Sequence, residues 1–308
     1  MNELELIARL TRSLPANASV VAGAGDDCAV LDCGQPGRYL LFKTDAVVEG
    51  VHFTSKARPE QIGHKALGRC LSDVAAMAGR PLAALVTAAL PDHFSPDFVE
   101  RIYTGINGLA RRHGVAIAGG ETTRNPERLL LSIAMVGEVA REKCLLRRGA
   151  KAGDAVWVTG ELGGSLAGKH LEFEPRLAEA RWLAEHFPIH AMIDVSDGLA
   201  GDLRHILRSS RVGAELLARA IPVSRAAKLQ ARAESRPALL AALGDGEDFE
   251  LLFTVGSGHA VALLDGWKKQ FPKLRLSCIG RITAERGLKL RDKTGLHPVA
   301  THGYVHFA

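Results

Sequence analysis

Aromatic residues and clustered positive charge are both scarce in this sequence. Phe, Trp and Tyr make up 5% of the 308 residues, and Lys and Arg are scattered, with no run longer than a pair. Proteins that bind nucleic acids concentrate positive charge on one surface and often add aromatic side chains that stack on bases. No nucleic-acid partner is therefore expected. The net charge of +5 is better explained by a basic enzyme that handles phosphorylated anions.

Long apolar runs and paired cysteines are also missing. No apolar stretch reaches the roughly 18 residues needed to cross a bilayer. The first residues, MNELELIARL, contain early acids and lack the layout of a signal peptide. We therefore expect a cytoplasmic protein with no membrane partner. The cysteines are odd in number and form no CxxC pair, so we expect reduced thiols at Cys28, Cys33, Cys70, Cys144 and Cys278.

The chain is long enough for two domains, since 308 residues exceed what a single core usually holds. In the first part, strand-like and helix-like segments alternate with short connections, which is typical of an α/β domain. The polar segment REKCLLRRGAKAGD, at 141–154, favours a boundary. The sequence therefore predicts an α/β (α+β) fold with one domain over 1–140 and a second over 141–308.

Periodicity predicts the main elements of the first domain. Apolar spacing predicts helices over 3–13 and 60–78, and a third between Ser95 and Gly114 with proline after its start and glycine at its end. CAVL, RYLLFKTDAVV and LAALVTAAL predict strands. VAIAGGETTR predicts a strand that runs into a Gly-Gly turn, with Glu121 at its edge.

Six carboxylates stand at the edges of apolar segments, on both sides of the predicted boundary. An unpaired carboxylate beside a core is unfavourable, so it needs hydrogen-bond donors or a cation. Mg²⁺ prefers such oxygen ligands and commonly accompanies phosphates. Each acid alone is also compatible with a turn or a helix cap, but six together favour a polynuclear metal site. They are Asp27, Asp45, Asp73, Glu121, Asp194 and Asp197.

The segment IDVSDGLAGDL adds a place for phosphate. Asp194 ends a predicted strand, and Ser196 and Asp197 lie in the turn before a helix whose N-terminus favours anions. Cations, backbone amides and an arginine such as Arg147 are the groups that phosphoryl transfer requires. The residues by themselves therefore predict metal-dependent phosphoryl transfer.

GGSLAGKH is a weak candidate for a phosphate-binding P-loop. Gly163, Gly168 and Lys169 fit G-x-x-x-x-G-K, but His170 stands where Ser or Thr should hold magnesium. Pro175 would also interrupt the helix that follows a P-loop. We expect instead a tight turn or a mobile cover.

Nine segments in collinear order resemble the thiamine-monophosphate kinase family, in the superfamily that includes aminoimidazole ribonucleotide synthetase. The resemblance implies that family's two-domain fold and a homodimer whose N-terminal sheets form a shared barrel. It also implies direct transfer of the γ-phosphoryl group of ATP to thiamine monophosphate, with several Mg²⁺ ions between the domains. The segments are GDDCAVL, TDAVVEGVHF, KALGRCLSDVAAM, GGETTR, RRGAKAGD, VTGELGGSLAG, IDVSDGLAGDL, GEDFELLFTV and GYVHF.

The resemblance further implies roles for particular residues. The metal ligands would be Asp27, Thr44, Asp45, Asp73, Glu121, Asp194 and Asp197. Of these, Asp45, Asp73 and Asp197 would be catalytic. ATP would contact Gly120, Glu121, Arg147 and Ser196. Thiamine monophosphate would contact His52, Glu247 and Tyr304.

Several positions depart from the motifs of that family. Glu121 replaces an aspartate, Lys43 replaces a serine near a metal, Glu172 and Phe173 replace an arginine and a proline, and Val305 replaces an acid. These changes leave two alternatives open. One is a paralogous enzyme of the same superfamily with another small substrate. The other is a non-catalytic protein that binds nucleotides or thiamine phosphates.

Overall fold

The structure, a computed structural model, describes residues 3–301 and 303–304. Its first half contains α1 (Glu3–Leu10), β1 (Val20–Ala22), β2 (Ala29–Leu31), β3 (Arg38–Val48), α2 (Pro59–Ala76), β4 (Arg80–Leu90), α3 (Pro96–His113), β5 (Ala116–Arg124) and β6 (Leu130–Ala140). The helices predicted over 3–13, 60–78 and after Ser95 are confirmed, and the first ends in a short 3-10 helix at Thr11–Ser13.

The second half begins after the polar segment. It contains β7 (Asp154–Thr159), α4 (Lys169–Glu172), α5 (Leu177–His186), β8 (Ile189–Asp194), α6 (Leu199–Ser210), β9 (Gly213–Leu217), α7 (Arg225–Glu234), α8 (Ala238–Gly244), β10 (Leu251–Gly256), α9 (Ala260–Gln270), β11 (Leu276–Thr283), β12 (Gly287–Asp292) and β13 (Gly295–Pro298). The boundary predicted after residue 140 falls between the two halves and stays a prediction.

Each half contains one sheet. Among the described residues, the first sheet has six strands in the order β1-β2-β3-β6-β4-β5, and the second has seven in the order β13-β12-β9-β11-β7-β10-β8. In the first sheet, β6 pairs antiparallel with both β3 and β4, while β5 runs parallel to β4 at the edge. The α/β fold class predicted from the sequence is confirmed.

The predicted Gly-Gly turn is wrong, because β5 continues through Gly119 and Gly120, with a register shift against β4 just before them. Gly120 pairs with Val86 of β4, and a Cβ atom at Gly120 would lie 1.8 Å from the Val86 carbonyl oxygen. The glycine is therefore needed for a close approach of two strands rather than for a reversal of the chain.

Helix α2 connects the two halves of the molecule. It packs with α3 over the inner face of the first sheet, and it also contacts α5 and β8 of the second half. Two glycines allow the close contact between α2 and α3, since a Cβ atom at Gly63 or Gly105 would lie 2.0 Å or 1.9 Å from a carbonyl oxygen of the facing helix. Side chains of α2 that face β8 therefore lie between the two sheets.

The hydrophobic core continues from the first half into the second. It includes Leu41 and Ile133 of the first sheet as well as Phe253 and Trp267 of the second half. Trp182 packs edge-on against Trp267, with ring centroids 6.0 Å apart. The two halves thus share one buried surface, and the site described next lies along it.

In the part of the chain that the structure describes, no helix is both long enough and apolar enough to cross a membrane.

Candidate active site

Three buried carboxylates from three separate segments meet between the two sheets. Asp27 precedes β2, Asp73 lies near the end of α2, and Asp194 ends β8. Ligand oxygens of all three lie within 4.8 Å of one another. The Oδ2 atom of Asp27 is buried and has no hydrogen-bond partner in the part of the chain that the structure describes. This cluster fits a hard divalent cation, which prefers carboxylate oxygens and offsets their repulsion.

Burial makes the ionised cluster unfavourable by itself. Burial raises the pKa of Asp73 well above its ordinary value, and it raises the pKa of Asp194 to about 7 with a further contribution from the charge of Asp27. Ser72 Oγ donates a hydrogen bond to Asp194 Oδ2 over 2.6 Å. A cation would favour the ionised forms and would lower these pKa values again.

Two positive side chains lie against the carboxylates. Arg147 Nη2 donates to Asp27 Oδ1 over 2.7 Å, while the Nε atom of Arg147 is buried without a partner. Lys43 Nζ lies 3.1 Å from Asp73 Oδ2 and 3.8 Å from Asp45 Oδ2. Asp45, a predicted ligand, is therefore joined to the cluster through Lys43.

Glycine and a buried acid fix the turn between β8 and α6. Gly198 has φ of 103°, and a Cβ atom there would lie 2.9 Å from the Cα atom of Gly244. The Asp197 N–H donates to the buried carboxylate of Asp202 over 3.1 Å. The turn therefore holds Ser196 and Asp197 at the start of α6, where free backbone N–H groups favour anions.

A cavity of about 100 Å³ opens beside this turn. The three residues predicted to bind substrate, His52, Glu247 and Tyr304, all line it. Arg69 also lines the cavity and lies 3.6 Å from Asp45 Oδ1, so the cavity neighbours the carboxylates. The other lining residues are Val51, Leu166, Ser196, Asp197 and Asp245.

Glu247 is held ionised at the wall of this cavity. Lys65 Nζ donates to Glu247 Oε2 over 2.6 Å, and His170 Nδ1 lies 2.9 Å from the same oxygen. Burial raises the pKa of Glu247, but the hydrogen bond with His170 and the charge of Lys65 outweigh it and lower that pKa to about 2. Burial lowers the pKa of Lys65 to about 8, against the opposing effect of Glu247. The carboxylate is therefore charged throughout the neutral pH range.

The backbone that carries Glu247 is strained. Glu247 and Phe249 have φ of 56° and 51°, in the left-handed region that residues other than glycine seldom adopt. Two hydrogen bonds hold this segment against the end of β8: the Glu247 N–H donates to Ser196 O over 2.7 Å, and the Phe249 N–H donates to Val195 O over 2.8 Å. Strain of this kind persists where the surroundings fix it, most often at functional sites.

Three residues of this site, Lys65, Arg69 and His170, were not predicted from the sequence. Lys65, Arg69 and Asp73 follow one another at intervals of four along α2 and so share one face of the helix. That spacing was a usable signal, but only Asp73 was singled out. No local signal identified His170, because it meets Glu247 only in the folded chain.

Two predicted metal ligands lie elsewhere. Successive side chains of β3 alternate, so Thr44 points to the outer face, where its hydroxyl lies 3.4 Å from that of Ser132. Glu121 pairs with Thr87, which pairs with Ser132, so Glu121 shares the outer face at the sheet edge. The structure does not bring these two side chains to the Asp73 cluster of the same chain.

The glycine-rich segment after β7 is a packed turn. Gly163 has φ of 80°, and its N–H donates to the buried Asp248 carboxylate over 2.9 Å. Lys169 Nζ donates to Glu250 Oε1 over 2.8 Å. Because the lysine is already paired with a buried acid, the structure agrees with the expectation of a tight turn rather than a P-loop.

The departures at Glu172 and Phe173 do not line the cavity. Glu172 pairs with Arg58 over 2.5 Å at the surface, and the buried ring of Phe173 stacks on Phe249 with centroids 3.9 Å apart. Val305 lies outside the described residues. The first two changes are therefore explained by packing and surface charge rather than by direct contact in the cavity.

Residues 25–139 match the AIR synthase related protein N-terminal domain, and residues 151–293 match the AIR synthase related protein C-terminal domain. The chain therefore belongs to the AIR synthase related family.

Within that family the chain belongs with the thiamine-monophosphate kinases. It is 40% identical over 304 residues to the thiamine-monophosphate kinase of Rhodopirellula baltica, covering 96% of this chain and 93% of the relative. It is 32% identical over 332 residues to that of Bacillus subtilis, covering 100% of both. The solved structure of AaThiL complexed with AMPPCP and TMP superposes with a TM-score of 0.84 at 29% identity, covering 99% and 97% of the two chains.

Proposed function

We propose that this chain transfers the γ-phosphoryl group of ATP directly to thiamine monophosphate and forms thiamine diphosphate. The observation that carries the proposal is a buried carboxylate cluster with an unpartnered Asp27 oxygen, next to a cavity lined by His52, Glu247 and Tyr304. The relatives named thiamine-monophosphate kinase support the substrate. The AaThiL structure supports it too, since AMPPCP is an ATP analogue and we interpret TMP as thiamine monophosphate.

Mg²⁺ is the cation that we assign to this site. Asp27, Asp73 and Asp194 would hold it, with Asp45 and Asp197 as further oxygen donors close by. When bound, Mg²⁺ neutralises phosphate charge and helps to align donor and acceptor. The fit rests on the donor set: three buried oxygen ligands, one of them without a hydrogen-bond partner.

Arginine and backbone amides would hold the phosphates. Arg147 is fixed at one end by Asp27, and its buried Nε atom has no hydrogen-bond partner among the described residues. The N-terminus of α6, with Ser196 in the preceding turn, adds N–H groups that favour anions. Positioned charges of this kind stabilise the transferred phosphoryl group without a protein nucleophile.

The cavity would bind the thiamine part of the acceptor. The ionised Glu247 can pair with the positive thiazolium ring, and Tyr304 offers an aromatic face for stacking. His52 lines the cavity from the first half of the chain and is held by a hydrogen bond from the Val48 N–H to its Nδ1 atom over 3.1 Å. Together they would orient the acceptor phosphate towards the carboxylates.

We also propose a homodimer formed through the first sheet. Its outer face carries the apolar side chains Phe42 and Leu85, each 48% exposed in the single chain. Strand β5 forms an open edge that carries Gly120 and Glu121. A shared barrel would cover the apolar face and put Thr44 and the predicted ATP contacts Gly120 and Glu121 at an interface between copies.

An assay of ADP release tests the activity. Purified protein with ATP and Mg²⁺ is given thiamine monophosphate, thiamine or aminoimidazole-pathway substrates, and thiamine diphosphate is identified by mass. We expect ADP release with thiamine monophosphate alone. Turnover of another substrate would favour a paralogous enzyme, and nucleotide binding without turnover would favour a non-catalytic protein.

Sedimentation velocity tests the dimer. We expect the wild-type protein to sediment as a dimer at micromolar concentration, and Leu85→Glu to shift it towards the monomer. A monomeric wild-type protein with full activity would exclude a role for Glu121 of a second copy.

A further inference from the structure

Lys43 and Asp45 lie two residues apart on β3 and therefore point to the same, inner face of the first sheet. There Lys43 Nζ lies 3.1 Å from Asp73 Oδ2 and 3.8 Å from Asp45 Oδ2. The ammonium group is thus between two carboxylates, one of which belongs to the Asp27, Asp73 and Asp194 cluster. The Lys43 side chain is only 21% exposed, so water screens these ion pairs weakly.

Other cations reach these acids from different directions. Arg69 approaches Asp45 at its other oxygen, Oδ1, at 3.6 Å, and Arg147 contacts Asp27. Lys43 Nζ therefore lies beside both Asp45 Oδ2 and Asp73 Oδ2, whose carboxyl groups are also within hydrogen-bonding reach of each other. A lysine ammonium is a compact, strongly hydrated point charge, unlike the flat guanidinium of arginine, so it resembles a small metal ion in size and in preference for oxygen.

We propose that Lys43 is a built-in counter-cation, whose ammonium takes the place between Asp45 and Asp73 that a divalent cation would otherwise occupy. This inference rests on the proposed function only in assigning divalent cations to the neighbouring carboxylates. It has a direct consequence for stoichiometry. The chain binds one divalent cation fewer per site than a variant in which position 43 is small and neutral.

The pair Asp45 and Asp73 also depends on Lys43 when no metal is present. The charge of Lys43 offsets the repulsion between two carboxylates that are both largely buried, with side-chain exposures of 18% and 9%. Removal of that charge leaves Asp45 with Arg69 and leaves Asp73, among the described residues, without an ion-pair partner, which is unfavourable at a buried position. A divalent cation would restore the balance wherever the vacated space admits it.

The test counts bound Mn²⁺ by electron paramagnetic resonance in the presence of AMPPCP, for wild type, Lys43→Ser, Lys43→Arg and the exposed control Lys56→Met. Serine removes the charge and leaves room for a cation, whereas arginine keeps the charge. We expect one more Mn²⁺ per chain for Lys43→Ser than for the other three proteins. We also expect Lys43→Ser to melt several degrees below wild type in EDTA and to recover in Mg²⁺.

An equal Mn²⁺ count in Lys43→Ser and wild type would overturn the proposal. The proposal would also be overturned if the melting temperature of Lys43→Ser stayed below that of wild type in Mg²⁺, because the metal must replace the missing charge. ADP release by wild type with thiamine monophosphate is measured in parallel. If wild type turns over thiamine monophosphate but the Mn²⁺ counts are equal, only the proposed role of Lys43 is rejected. If the Mn²⁺ counts differ but wild type shows no turnover, the kinase assignment is rejected and the role of Lys43 is supported.

Discussion

At the end of β8, the side chain of Asp194 is buried among other carboxylates and accepts a hydrogen bond from Ser72. Among the described residues, no cation compensates the charge of Asp194 as closely as Arg147 compensates that of Asp27. In the absence of metal, the folded protein therefore carries an unfavourable charge that the proposed chemistry requires.

Replacing this acid should separate stability from activity. We expect Asp194→Asn to lower kcat roughly a hundredfold or more, the scale of one lost electrostatic contact in a phosphoryl-transfer site. In EDTA the same variant should be more stable than wild type by about 1 kcal/mol or more, because one repelling carboxylate is gone. Calorimetric melting and the ADP assay measure the two effects. The exposed Asp97→Asn is the control, and an Asp194→Asn protein less stable in EDTA would contradict the argument.

His205 gives a pH dependence outside the carboxylate cluster. Burial, together with the charges of Arg147 and Arg208, lowers the pKa of His205 from 6.5 to about 4, while Asp27 acts in the opposite direction. Since the folded pKa is depressed, the unfolded chain takes up a proton first as pH falls. Above about pH 6.5, His205 is neutral in both states and does not reduce the free energy of unfolding. Between about pH 6.5 and pH 4, protonation of His205 in the unfolded chain reduces the free energy of unfolding by about 3 kcal/mol at most.

Urea unfolding between pH 4.5 and 7.5 measures this contribution. We expect wild type to lose stability relative to His205→Gln as the pH falls, while the exposed His93→Gln keeps the wild-type slope. Parallel pH profiles for wild type and His205→Gln would show that His205 is not the titrating group.

Single residues were predictable where their chemistry is visible locally. Asp27, Asp73 and Asp194 stand beside apolar strands or within an apolar helix stretch, and that placement indicated a metal site before any fold was known. The contacts of Glu247 with Lys65 and His170 were not predictable, since they join residues 182 and 77 positions apart in the chain. Positions that meet only through the tertiary fold leave no local signal.

At the level of elements, the contact between α2 and α3 is one of the closest in the first half. Gly105 lies so close to α2 that a Cβ atom would be 1.9 Å from the Glu60 carbonyl oxygen. Helix α2 also carries Arg69 and Asp73 into the site. Any separation of the two helices is therefore transmitted to the carboxylates.

A matched pair of alanine substitutions in α3 tests this contact. We expect Gly105→Ala to destabilise the fold by about 1–3 kcal/mol through overpacking and to reduce metal affinity. Gly108→Ala, where nothing lies within 4 Å of the added Cβ, should stabilise the helix by about 0.5–1 kcal/mol. Chemical denaturation measures the free energy of unfolding of both variants. If the two substitutions changed it equally, helix propensity rather than packing would determine their effect.

Helix and strand positions followed from periodicity, whereas the roles of individual glycines did not. Ser95, Pro96 and Gly114 bracket α3 as predicted, and Gly114 adopts φ of 67° as the helix ends. Gly119 and Gly120, by contrast, predicted a turn and lie inside a strand. A glycine that permits close approach has the same local signature as one that permits a turn, so only the neighbouring strand resolves the difference.

For the whole molecule, the proposed cation would tie the halves together, because Asp27 and Asp73 come from the first and Asp194 from the second. A ligand that binds only the native state stabilises it by mass action. We expect Mg²⁺ with AMPPCP at about a hundred times the dissociation constant to raise the melting temperature by about 5 °C, and EDTA to reverse the shift. An unchanged melting curve would count against a shared metal site.

The tryptophans are distributed unevenly between the two halves of the chain. Trp157, Trp182 and Trp267, the three tryptophans of the chain, all lie in the second half, where the rings of Trp182 and Trp267 pack against each other. Intrinsic fluorescence therefore reports the environment of the second half, while far-ultraviolet circular dichroism reports the secondary structure of both. A gap between the two melting curves would measure how independently the halves unfold, and closure of that gap by Mg²⁺ and nucleotide would reveal their coupling without any label.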